Sequence, residues 1–200
     1  MLRALGRIAG VCAGLGLLLA TGCIPLPDLP PEIAFVYENE ATFLMDWHVG
    51  SGGLEPGLPV DDLAELDGCW GMARQPGGEI PVMLYNAYRF DSATGALGGW
   101  ALQQDPTGLQ IFNVLSVDTG TYEITTEDEG KEGLHQVITE TLLNDPDTGG
   151  MEPVPYDEPL EQTHLVTMDG DTLYLWDYDT PEGEDGVEWV FVYQRFECPE

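Results

Sequence analysis

From residue 68 to residue 198 the chain is a succession of short apolar runs broken by Gly-, Asp- and Pro-rich turns. The first and last of those runs each carry a cysteine. The first opens at Leu66-Asp67-Gly68-Cys69-Trp70-Gly71, and the last closes at Tyr193-Gln194-Arg195-Phe196-Glu197-Cys198. A meander of short antiparallel strands removes its edges by closing on itself. Closure sets the first strand beside the last, where Cys69 and Cys198 would meet. The expected fold is therefore all-β, an antiparallel up-and-down barrel of eight or nine strands.

Alternation and turn chemistry place the strands. They are expected at residues 68–74, 82–91, 99–104, 109–117, 121–126, 134–143, 163–168, 172–178 and 187–196, nine candidates in all. Turns are expected at 92–95, 105–108, 118–120 and 127–130 from their Gly, Asp and Pro content. Asp169-Gly170 between two apolar runs is the strongest hairpin signal, because a type I′ turn needs positive φ. Residues 144–161 hold four prolines and are long enough to suggest a lid or flap. Upstream, residues 60–66 suggest one or two helical turns. Residues 33–37 suit a strand and 41–48 a strand or short helix, both apolar enough to pack on the domain.

The N-terminus has the three parts of an export signal. Arg3 and Arg7 are followed by an apolar run over residues 8–20, and then by Ala20-Thr21-Gly22-Cys23. The run is shorter than the roughly 20 residues of a spanning helix. Small residues directly before a cysteine resemble a bacterial lipobox, with Ala20 where Leu is commoner. The resemblance implies cleavage before Cys23, which becomes the lipidated residue, and an anchor made firm by several acyl chains. Ile24 occupies the position where an Asp retains lipoproteins in the inner membrane of well-known Gram-negative systems. The expected location is thus the cell envelope, lipid-anchored in the outer membrane. Three segments follow: residues 1–22 as signal peptide, 23–66 as lipidated cysteine, Pro-rich tether and packing segment, and 67–200 as the barrel. The Ile24-Pro25-Leu26-Pro27-Asp28-Leu29-Pro30-Pro31 stretch reads as a semi-rigid polyproline spacer.

Export bears on both charge and thiols. The full chain carries −30, and loss of Arg3 and Arg7 makes it −32, with Arg74, Arg89, Lys131 and Arg195 the remaining fixed positive charges. Such a field repels phosphate backbones, which excludes nucleic acid as a partner. A solvated acidic surface, cation capture and docking to a basic partner are the three uses for it. Cys12 is lost with the signal. In an oxidising compartment Cys69 and Cys198 most simply form one disulfide, with a metal pair or free thiols as the alternatives.

Gly68-Cys69-Trp70, preceded by a short helical turn, resembles the Gly-x-Trp opening of lipocalins and related calycin barrels. Arg195 on the last strand is similar to the Arg that packs across that Trp. Other lipocalin motifs and the helix between the last strands are not recognisable. The resemblance implies that Trp70 plugs one end under Arg195 and that the other end binds a small hydrophobic or amphipathic molecule. Tyr174, Trp176 and Tyr178 share one strand face, as Trp189, Phe191 and Tyr193 do. Either set would line the cavity or simply fill a core.

Catalytic signatures are weak. Ser51, Ser92 and Ser116 are the only serines, and none sits in Gly-x-Ser-x-Gly. His48, His135 and His164 are scattered, although His135 and His164 would approach each other if their strands pair. Asp145 and Asp147 stand two apart before Gly149, like half a calcium loop, and Asp177, Asp179, Glu182, Glu184 and Asp185 crowd a second loop. Hard oxygen ligands suit Ca²⁺, although solvated turns are the default. No other cofactor is expected. The chain reads as a non-enzymatic envelope lipoprotein whose barrel binds a small ligand. The alternatives are a structural or protein-interaction lipoprotein with a filled barrel, and a hydrolase acting through carboxylates.

Overall fold

The computed structural model describes residues 28–44, 57–74, 83–104, 113–126, 132–145, 148, 150–177 and 190–199. Ten strands form one antiparallel sheet: β1 (Leu58–Pro59), β2 (Gly68–Arg74), β3 (Met83–Asp91), β4 (Ala96–Gln104), β5 (Asn113–Thr126), β6 (Glu132–Asn144), β7 (Met151–Pro153), β8 (Leu160–Asp169), β9 (Thr172–Asp177) and β10 (Val190–Phe196). Eight of them run in sequence order, β2-β3-β4-β5-β6-β8-β9-β10, and β10 pairs back onto β2, closing a barrel. The short β1 and β7 add to β8 and β6. The proline-bearing loop after β6 thus contains a strand of its own.

The barrel has eight strands rather than nine because residues 118–120 do not turn. β5 runs through them with a β-bulge between Thr119 and Gly120. A Cβ on Gly120 would run into the Val137 carbonyl, so glycine permits the close approach that a bulge requires. The extra residue is Thr139 of β6, and the shift brings Thr141 inward opposite Asp118 while Gln136 stays inward opposite Tyr122.

The β8–β9 hairpin closes on the pair Asp169↔Thr172. Its two loop residues are therefore Gly170 and Asp171, one position later than the Asp-Gly dipeptide suggests, and Gly170 carries φ +58°. The loop also reaches the next strand, because the Asp171 carbonyl accepts from the Arg195 amide at 2.9 Å.

Residues 31–38 form helix α1 (Pro31–Glu38), followed by α2 (Glu40–Phe43), where a strand was the expectation for 33–37. Proline at the first helical position costs no hydrogen bond and presets φ. Ile33 and Val36, three residues apart, fall on one buried face. The two helices lie on the outer face of β2, β3 and β10. Phe35 stacks on Phe196 at 5.0 Å, Phe43 meets Phe196 at 5.6 Å, and Tyr37 meets Tyr85 at 5.1 Å. Glu32 pairs with Arg89 at 3.5 Å, and Tyr85 donates to Glu40 at 2.8 Å.

A Cβ on Gly71 would stand 2.6 Å from Val36 Cγ2 and 2.9 Å from Phe43 Cε1. Gly71→Val is therefore expected to lift the helices off the barrel at a cost of about 1–3 kcal/mol, the usual range for overpacking. Faster protease cleavage within residues 31–44, with the barrel's urea midpoint reduced but its cooperative transition intact, would be the sign. An unchanged cleavage rate would contradict the packing.

The pairing of β10 with β2 is the shortest junction of the barrel among the described residues, only Gln194↔Gly71, Arg195↔Trp70 and Phe196↔Cys69. Three separate devices reinforce it. The Cys69–Cys198 disulfide, with Cα atoms 5.2 Å apart, fastens it. The helices cover it from outside through Phe196. Arg195 and Trp70 occupy it from inside. The main apolar core fills the same half of the barrel with Leu66, Trp70, Phe90, Leu134, Leu173 and Tyr193.

The sealed end and the open cavity

The sealed end is built from the segment that enters β2. Asp62 caps a 3-10 turn at Leu63–Glu65, its side chain accepting from the Ala64 amide. That turn aims two carbonyls, Glu65 and Asp67, at the barrel axis. Trp70 is fully buried and its indole N–H donates to the Leu66 carbonyl at 2.7 Å. The Arg195 guanidinium lies 4.3 Å from the Trp70 ring centroid. It donates to the Asp67 carbonyl at 2.7 Å and to the Glu65 carbonyl at 2.5 Å, and its Nε stands 3.6 Å from Asp171. A planar guanidinium is suited to stack on a ring while its edge serves several acceptors. Next to it, the Asp67 carboxylate accepts from both the amide and the hydroxyl of Ser92. Those two bonds, helped by Arg195, hold the Asp67 carboxyl below its usual range. Every one of these interactions stiffens an end wall, and none leaves room for a ligand.

Among the described residues nothing seals the other end. A cavity of about 280 Å³ lies within the barrel mouth, near the lower end of the ~300–1,000 Å³ usual for small-molecule sites. Its wall is mixed. Asn86, Ser116, Asp118, Thr141 and Gln162 contribute polar groups, while Ile138, Leu160 and the ring of Tyr156 contribute apolar surface. Space at this level comes partly from Gly99, whose absent Cβ would otherwise meet the Tyr88 ring at 3.2 Å and the Asp118 Cβ at 3.4 Å. Asp118 is placed inward by its register with Gly99 and Thr141. The Thr141 hydroxyl donates to it at 2.5 Å.

Burial pushes the Asp118 carboxyl up, and the Thr141 bond only partly offsets this. Tyr88, buried nearby and facing Asp118, is pushed up to about 12. Behind them a polar relay runs inward, with Asn86 donating to the Tyr193 hydroxyl at 3.4 Å. Deeper still, Gln136 is fully buried and neither atom of its amide has a partner among the described residues; the hydroxyl of Tyr122, its register partner, is in the same position. Buried polar groups are normally satisfied by protein, water or ligand. The interior therefore calls for something polar to complete it.

A raised carboxyl has a definite sign in stability. The unfolded chain ionises first, so stability falls as pH rises from the ordinary Asp value through the folded value, and stays reduced above it. Asp118→Asn keeps an acceptor for Thr141 and removes the charge. The variant is expected to be more stable than the wild type at pH 7, with the difference shrinking as pH approaches the ordinary Asp value of 3.8. Urea midpoints of both proteins across that range decide it; a difference independent of pH would refute the buried charge.

The aromatic residues singled out in the sequence divide between the two faces. Phe191 and Tyr193 point inward with the main core, paired with Leu175 and Leu173. Tyr174 and Trp176 point outward, on the same face as Val192 and Val190, and pack there with Leu165. They do not line the cavity. Both faces of β9 are apolar, so alternation alone cannot assign its inner face. Tyr178 and Trp189 lie outside the described residues.

β6 and β8 pair as expected, but the register Leu134↔His164 and His135↔Thr163 puts the two histidines on opposite faces. His135 Nδ1 is 3.0 Å from the Thr163 hydroxyl. Asp145 accepts from the Thr148 hydroxyl at 2.7 Å within a turn closed by Asp145 N–H donating to the Gly150 carbonyl. Asp147 and residues 178–189 of the second acidic loop lie outside the described residues, as does Cys23. Among the described residues no three His, Cys, Asp or Glu side chains gather as a metal site.

Sequence reasoning did not single out Asn86, Asp118, Thr141, Tyr156 or Gln162. Among so many acidic and hydroxyl residues, only the three-dimensional register sets these apart. No protein-family model matches the chain and no curated protein matches it, so the cavity itself is the ground on which a function can be argued.

Proposed function

We propose that this chain is a non-enzymatic lipoprotein, anchored in the bacterial cell envelope through Cys23, whose lipocalin-like barrel holds a small amphipathic ligand at its open end. One observation carries the proposal: the barrel is sealed at one end by Trp70 and Arg195 and retains a mixed polar and apolar cavity at the other. The wall favours an amphipathic molecule over the purely hydrophobic one that a lipocalin resemblance also allows. A hydrocarbon would leave the Asp118 carboxylate with the Thr141 bond but no counter-charge, and the Asn86 carbonyl oxygen with no partner among the described residues. The filled-barrel alternative is less well served, because a cavity remains among the described residues of the interior. The lipobox-like Ala20-Thr21-Gly22-Cys23 supports the anchor, and the absence of Asp at position 24 supports an outer-membrane destination.

Native mass spectrometry of the full-length protein purified from its own envelope tests the ligand. The expected result is a population heavier than the lipidated chain by a small molecule that is released on denaturation. A ligand-free mass in every preparation, with an interior closed by side chains in an experimental structure, would remove the proposal.

A further inference from the structure

The geometry points to a primary or secondary ammonium group as the part of the ligand recognised in the cavity, with its charge against Asp118 and an apolar tail toward the mouth. This inference rests on the ligand-binding proposal above and adds the chemistry of the ligand. Asp118 is the only carboxyl group among the residues lining the cavity, and among the described residues the Thr141 hydroxyl is its hydrogen-bond donor.

No basic side chain among the described residues lines that cavity. Arg195 is committed to the sealed end and Arg89 to Glu32 on the outer face, while Arg74, although inward on β2, is not part of the lining. Among the described residues the carboxylate therefore sits part-buried with no cation in the cavity wall, a costly arrangement unless a counter-charge arrives. A second, separate group asks for the same chemistry. The Asn86 carbonyl oxygen is buried in the same wall with no donor to it among the described residues. An ammonium that carries N–H donors satisfies both acceptors, whereas a carboxylate or phosphate would be repelled by the first and ignored by the second.

The aromatic walls agree. Tyr88, Trp100 and Tyr156 line the cavity with Asp118, and aromatic rings attract a cation placed over them. Ile138 and Leu160 give the tail an apolar resting place. The chain's net charge of −30 concentrates small cations at the surface and repels anions before any contact is made.

Binding of three probes of matched length to the full-length protein in a non-ionic maltoside detergent tests the inference by calorimetry. The probes are n-hexylammonium, hexan-1-ol and hexanoate, taken at neutral pH and low salt. The expected ranking is hexylammonium at least tenfold tighter than hexanol, with no binding of hexanoate. In Asp118→Asn the advantage of hexylammonium over hexanol should fall to less than threefold. The wild-type ranking needs no variant, so it decides the matter even if Asp118→Asn folds poorly. Equal affinity for hexylammonium and hexanol would overturn the ammonium assignment and leave a ligand-binding barrel standing. Tightest binding of hexanoate would also overturn it. Failure of all three, together with a ligand-free native mass, would bring down both readings.

Discussion

Trp70→Ala should lower the unfolding free energy by about 3–5 kcal/mol, the range for removing a large aromatic from a packed core. The side chain is fully buried, and its loss does more than open a void. The Leu66 carbonyl loses its donor, and Arg195 loses the ring that backs its guanidinium. Because Arg195 ties the entry turn to the last strand through Glu65 and Asp67, the vacancy lies where the barrel closes. Urea denaturation followed by far-ultraviolet circular dichroism measures it. A loss below about 1 kcal/mol, the size of a surface change, would mean that Trp70 is not the plug described.

Removing the disulfide has a comparable effect by a different route. Cys69 and Cys198 are separated by 129 residues. For a closed loop of that size the chain-entropy account gives about 5 kcal/mol as an upper figure, and losses from small exported domains run at roughly 2–5 kcal/mol. The double variant Cys69→Ala, Cys198→Ala is therefore expected to melt well below the wild type, with the effect arising mainly in the unfolded chain. Equal melting temperatures for the two proteins would count against a bridge that spans the barrel. The Trp70 and disulfide losses should not simply add, since both act on the β10–β2 junction and neighbouring effects couple. A domain stable by the usual 5–15 kcal/mol has little left once both are gone.

The barrel was legible because its signals are local and agree. Alternating apolar residues, Gly and Asp at the turns, and a cysteine in each terminal strand all point to closure. The bounds of β2 follow directly from Gly68 to Arg74. The errors have physical causes. Asp118-Thr119-Gly120 has the composition of a turn, but the backbone freedom that glycine gives a turn also permits a bulge, and composition does not separate the two. Residues 33–37 are β-compatible by residue type; Pro31 and the Ile33–Val36 spacing were the helix signals, and the disconnected position on the outer face of the barrel lets them prevail. Period two identifies which residues share a face, yet β9 is apolar on both, so Tyr174 and Trp176 were as plausible inside as Phe191 and Tyr193.

The site was harder to see than the fold. Asp118 is one of 36 acidic residues, and nothing local distinguishes it from the solvated ones. Its surroundings depend on Gly99 across one strand pair and on Thr141, which the bulge turns inward, across the other, features distributed over β4, β5 and β6. The sealed end was more accessible to sequence because Trp70 and Arg195 are rare residue types at the two chain-ends of the barrel. Their contacts fill one end of the barrel, and the proposed ligand is assigned to the other.

Solution NMR across the β10–β2 junction tests closure of the barrel most directly. Backbone nuclear Overhauser effects are expected between Arg195 and Trp70 and between Phe196 and Cys69, with the junction amides slow to exchange. Missing cross-strand effects there, with those amides exchanging as fast as loop amides while β3–β4 stays protected, would show an open sheet and contradict the account.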